Sequence, residues 1–172
     1  MTRFKLLSLL MFIMMAAFLI PSGMAAEYRN SEYGFSITYP DSWEIKNSKK
    51  PVIFYAAAPS LTPWILINME DNASFQDALE AASRSWRADN FMVMPATETT
   101  TENGLKVFTT NVTFKTHTGY EAEGFVLGVK RDKIPWIIIH VATVPIASVY
   151  DENEFSAIAK SLKFTDGAST RE

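Results

Sequence analysis

Cysteine is absent from all 172 residues. This excludes a disulfide framework, a thiolate zinc or iron–sulfur site, a thiol nucleophile and the lipid-attachment residue of a bacterial lipoprotein. Glycine and proline are sparse at 7 and 8, too few for a collagen-like or Gly/Pro-rich chain. There is no basic excess: 16 Lys+Arg stand against 19 Asp+Glu, whereas a nucleic-acid-binding module carries a positive surplus. With 2 histidines, a Ser-His-acid triad or a multi-histidine metal site has little to draw on. Gly-x-Ser-x-Gly, Gly-Lys-Ser/Thr and His-Glu-x-x-His are all missing. What remains is 48% apolar and 13% aromatic, the composition of a chain that buries a core.

The first 25 residues differ from the rest. Arg3 and Lys5 precede an apolar run, Leu6 to Ile20, broken only by Ser8. Pro21-Ser22-Gly23 ends the run, and Gly23-Met24-Ala25 sets small residues at −3 and −1 of a cleavage site. This order predicts a secretory signal peptide over 1–25, cleaved after Ala25 or Ala26. The run is shorter than the ~20 residues of a comfortable membrane span. Cleavage removes two cations and no acid, leaving 14 Lys+Arg against 19 Asp+Glu, a net charge of −5. Such a chain is repelled by phosphate backbones and anionic headgroups. The expectation is an exported protein, periplasmic or extracellular, with neither nucleic acid nor membrane as partner. Residues 26–164 read as one domain, large enough for one core and too small for two. The small, polar tail 165–172 reads as disordered.

Phe35, Ile37 and Tyr39 alternate with Ser36 and Thr38 up to Pro40, a strand followed by a tight turn to Trp43. Residues 46–51 read as a solvated loop, and Val52–Ala57 and Trp64–Met69 as strands. Phe75, Ala78, Leu79, Ala82 and Trp86 make one apolar helix stripe, predicting a helix over 74–89 with Ser74 and Asp77 as a variant capping box. Strands follow at 92–101, 105–116, 120–130 and 134–144. Asn103-Gly104 signals a hairpin whose register puts Phe108, Val112 and Phe114 on one face with Val93, and Thr109, Asn111 and Thr113 on the other with Glu98 and Thr100. Residues 134–144 are apolar on both faces, so that strand is expected to be central. A last helix starts near Asp151, and Leu162–Phe164 closes the pattern as a short strand.

Tyr33-Gly-Phe-Ser-Ile-Thr-Tyr-Pro-Asp-Ser-Trp43 and Phe155-Ser-Ala-Ile-Ala-Lys-Ser-Leu-Lys-Phe164 resemble the opening and closing signatures of the PsbP-like family. The resemblance implies an α+β fold: a six- to seven-stranded antiparallel sheet with flanking helices, an α/β/α sandwich. It also implies a non-catalytic role, since members include photosystem extrinsic subunits and the Mog-type factor that binds the Ran GTPase.

His117 lies in the predicted turn 116–119 and His140 mid-strand opposite about Phe125, too far apart for one metal shell. Glu121 and Glu123 share a strand face, whereas glycosidase carboxylates flank a cleft from separate elements. Gly124-Phe-Val-Leu-Gly128 falls in a strand and reads as a close approach or bulge. Asn72 and Asn111 head glycosylation sequons, relevant only to a eukaryotic source. No catalytic residue, cofactor or metal is expected. Trp64, with Leu61 in the Pro-bounded loop 59–63, is the candidate partner-binding surface. The leading expectation is an assembly or binding module with a protein partner in the cell envelope. The alternative is a small-ligand-binding protein or a hydrolase using a pocket at His140 and Trp136.

Overall fold

The structure, a computed structural model, describes residues 26–100, 105–131, 134–145 and 151–164. The predicted signal peptide, the Asn103-Gly104 turn, the turn near Asp132 and the tail lie outside the described residues. In chain order the elements are β1 (Ala26–Asn30), β2 (Phe35–Tyr39), β3 (Glu44–Ile45), β4 (Val52–Ala57), β5 (Trp64–Glu70), α1 (Phe75–Ser85), β6 (Asp89–Val93), β7 (Thr97–Thr100), β8 (Lys106–Lys115), β9 (Glu121–Lys130), β10 (Trp136–Thr143), α2 (Glu152–Lys160) and β11 (Lys163–Phe164).

The expected single sheet of six or seven strands is two sheets. A large one runs β3-β4-β5-β10-β9-β8-β6, with β7 also on β8, and a small one runs β1-β2-β11. The pairings are antiparallel. β10, the strand apolar on both faces, is buried along its length between β5 and β9. One side of the large sheet, including Ile65, Ile67, Leu127, Ile137 and Ile139, packs on Phe35 and Ile37 of β2 and on Phe155 and Ile158 of α2. The other, including Val112, Val126, Ile138 and Ala142, packs on Phe75, Ala78, Leu79 and Ala82 of α1. The small sheet replaces part of the expected helical layer, because β2 is too apolar to stay at an edge facing water.

Helix α1 starts where Ser74 Oγ accepts the Asp77 N–H at 3.1 Å and donates to Asp77 Oδ2 at 2.7 Å. It ends four residues before the expected 89. Arg87 turns left-handed (φ 54), and the Ala88 N–H closes on the Ser83 carbonyl. Asp151 caps α2 by accepting the Asn153 and Glu154 N–H groups.

The strand expected at 92–101 is two, β6 and β7, parted around Pro95, which cannot donate to the ladder. The register also differs. Glu98 stands opposite Phe108 and Thr100 opposite Lys106, so both leave the face of Thr109 to which the two-residue turn assigned them. Val93 does share the face of Val112, its direct partner. His140 pairs with Val126, one position from the expected Phe125.

Both glycines of Gly124-x-x-x-Gly128 allow close side-chain approach. A Cβ on Gly128 would overlap the Phe75 ring, and one on Gly124 would lie 2.7 Å from His140 Nε2. Among the described residues no helix is long and apolar enough to cross a membrane.

Candidate functional site

Alternation places Trp64 and Leu66 of β5, Tyr55 of β4, Phe114 of β8 and His140 of β10 on the α1 side of the large sheet. Tyr55 and His140 both stand opposite Leu66. Because α1 stops at Ser85, it leaves this end of the sheet uncovered. A cleft of about 850 Å³ opens there. Trp64, Trp86 and Phe114 line its interior, and the loops at 47–49, 60–62 and 116–120 form its rim.

Trp86 is held firmly. Its Nε1–H donates to Asn68 Oδ1 at 2.8 Å. Asn68, 0% exposed, donates in turn to Glu70 Oε1 at 3.0 Å and Ser85 Oγ at 2.7 Å. Burial raises the Glu70 pKa, against the lowering effect of the Asn68 hydrogen bond and of the Arg84 charge. The Trp86 ring stacks on His140 at 4.0 Å between centroids and 21° between planes. Phe114 lies against the imidazole at 5.4 Å and Trp64 edge-on at 6.5 Å. His140 is 0% exposed and neither ring nitrogen has a hydrogen-bond partner. Burial pushes its pKa down to about 3, so it is neutral at pH 7 and acts as a flat spacer beneath the aromatic wall.

The rim is ordered by local bonds. Leu61 sits at φ 67 with its N–H on the Ala58 carbonyl at 2.7 Å. Ser60 Oγ donates to the Thr62 carbonyl, and Thr62 Oγ1 accepts the Val144 N–H and contacts Thr143 Oγ1. On the opposite rim, Gly119 at φ 87 turns the chain. The Tyr120 N–H then bonds Thr116 Oγ1. These loops present Leu61, 58% exposed, and Tyr120, 54% exposed.

Trp64 and Leu61 thus line one cleft. His140 and Trp136, the pair suggested as an alternative pocket, lie on one strand face in different surroundings. His140 lies beneath the cleft wall, and Trp136 stands four residues away on the same strand face between Phe75 and Phe108, its Nε1–H on the Asn72 carbonyl. His117 is on the rim. Glu121 pairs with Lys115 at 3.8 Å, and Glu123 stands opposite Thr113 and Thr143. Among the described residues no group of three or more His, Asp or Glu side chains could hold a metal ion. Lys49, Arg87, Tyr120 and the Asn68 network went unnoticed in sequence. The readable trace of Arg87 was a helix end with no glycine to close it.

No protein-family model matches the chain, and no curated protein does. Among solved structures it is similar to cyanobacterial PsbP (CyanoP) from Synechocystis sp. PCC 6803, with TM-score 0.63 and 12% identity over 85% of this chain and 95% of that one. It is also similar to the Saccharomyces cerevisiae Ran-binding protein Mog1p, with TM-score 0.54 and 9% identity over 83% of this chain and 97% of that one. Identities this low speak to architecture and not to activity. The chain has the fold shared by PsbP and Mog1p.

Proposed function

We propose that this chain is an exported, non-catalytic binding module that holds a partner protein in the cleft beside Trp64 and Trp86. The observation that carries this reading is the pair of exposed apolar side chains, Leu61 and Tyr120, on hydrogen-bonded loops at either side of an aromatic wall. Large side chains held in place against water are what a binding surface needs. Four of the hydroxyl side chains around the cleft serve the fold: Ser60 bonds Thr62, Ser85 bonds Ala82, and Thr116 bonds Thr118 and Tyr120. That use favours binding over nucleophilic chemistry. Mog1p is a Ran-binding protein, and a protein partner here extends that likeness of fold.

The test is capture of the tagged full chain from crosslinked cells of its host, beside Leu61→Arg and Trp64→Ala variants. One reproducible cell-envelope partner, lost with Leu61→Arg, is the expected result. Identical partners for all three chains would overturn the cleft as the surface. The cleft's volume also lies within the ~300–1,000 Å³ usual for small-molecule sites. A metabolite that raises the melting temperature of the wild-type chain but not of Trp64→Ala would favour that second reading. Export is checked by N-terminal sequencing of the protein from its host. A start at Ala26 or Glu27 is expected, and a retained Met1 would contradict it.

A further inference from the structure

We propose that the cleft selects an acidic partner segment, in which an apolar or aromatic side chain seats against Trp64 and Trp86 and neighbouring carboxylates meet Lys49 and Arg87. This rests on the cleft being the protein-binding site and adds the chemistry of what it takes.

The charge of the lining points this way. Acidic residues outnumber basic ones 19 to 16 in the chain, yet among the described residues no carboxylate lines the cleft, where Lys49, Arg87 and His117 are found. The two full cations arrive from separate segments, the 46–51 loop and the end of α1. Basic residues close to them in sequence are neutralised at home: Lys46 pairs with Glu44, Lys50 with Glu32 and Arg84 with Glu80. The side chains of Lys49 and Arg87 form no ion pair, hydrogen bond or ring contact among the described residues. The carbonyls of Ala82, Ser83 and Arg84 accept the N–H groups of Trp86, Ala88 and Arg87, and among the described residues the guanidinium makes no hydrogen bond to the helix end. Two exposed cations with no acid between them complement a segment of opposite charge.

The backbone adds a second observation. Three non-glycine residues have positive φ among the described residues: Leu61, Arg87 and Asn90. Two of the three line the cleft. At the position after a helix end glycine is the low-cost residue, and a side chain there is strained by its Cβ. Strain that persists at a cleft marks residues kept for what their side chains meet.

The experiment selects a displayed random-decapeptide library on the isolated protein, on the double variant Lys49→Glu/Arg87→Glu, and on Leu61→Arg. Lys49→Glu alone, on an exposed loop, is run in case the double variant does not fold. Lys163→Glu is the control, altering a β11 cation that does not line the cleft. Wild type and Lys163→Glu are expected to enrich peptides with Asp or Glu flanking a large apolar residue. Those peptides should bind roughly 2- to 5-fold more weakly per cation removed, and less tightly in high salt. The double variant should enrich Lys and Arg instead. Peptides that need Leu61 but show no charge bias would overturn the acidic preference and leave the cleft reading intact. Peptides indifferent to Leu61→Arg, or no enrichment at all, would overturn both.

Discussion

The indole of Trp86 lies flat on the imidazole of His140, 4.0 Å between centroids. A buried histidine with no hydrogen-bond partner is costly. Here it is flanked by Trp64, Trp86 and Phe114, and its neutral form supplies a planar ring where those rings need a base. The stack joins β10 to the end of α1 and so fixes the inner wall of the cleft.

The stack makes stability depend on pH. Burial holds the folded His140 pKa at about 3, below the ordinary 6.5. Between those values the unfolded chain binds a proton that the folded chain does not. The contribution is therefore complete above about pH 6.5 and falls with acidification by up to about 1.4 kcal/mol per pH unit. Urea unfolding at stepped pH should show a steeper loss below neutrality in wild type than in His140→Leu. Equal slopes would mean that His140 takes up its proton while folded.

Asn68→Ala strips Trp86 Nε1 of its acceptor and Glu70 of a donor. A loss of about 2–3 kcal/mol is expected, with a red shift in tryptophan emission as the indole loosens. Unchanged emission and stability would show that the stack alone holds the ring.

Gly128→Ala drives a methyl into the Phe75 ring and is expected to cost about 1–3 kcal/mol. Gly119→Ala meets open space but keeps φ +87, at about 1 kcal/mol. Thermal unfolding should rank Gly128→Ala as the more damaging, and the reverse order would contradict the seating of α1 on β9.

Arg87→Gly should separate stability from binding. Removing the Cβ at φ 54 is expected to stabilise by up to about 1 kcal/mol, while peptides selected on wild type bind more weakly. A variant that is both less stable and an equal binder would place the value of Arg87 in the fold.

Elements with a strong local period were legible in sequence. The stripe from Phe75 to Ala82 gave α1, and the alternation through Ile37 gave β2. β1 was not, since its alternation of Ala26 and Tyr28 with Glu27 and Arg29 is only five residues long and sits directly after the predicted cleavage site. The single strand through Pro95 fails because proline cannot donate to the ladder, and the pairing is already one residue off the two-residue turn's register at Thr100 and Lys106. Leu61 and Trp64 were readable as a Pro-bounded aromatic loop. The cleft was not, because Lys49, Arg87 and Tyr120 come from three distant loops that only the sheet order brings together.

Site-specific photo-crosslinking in the native host asks whether the cleft beside Leu61 meets a partner protein. A benzophenone side chain is placed at Leu61 and, as control, at Met92, an equally accessible β6 residue at 61% exposure that does not line the cleft. A discrete protein adduct is expected from Leu61 and none from Met92. No adduct at Leu61, or the same adducts from both positions, would contradict the cleft reading.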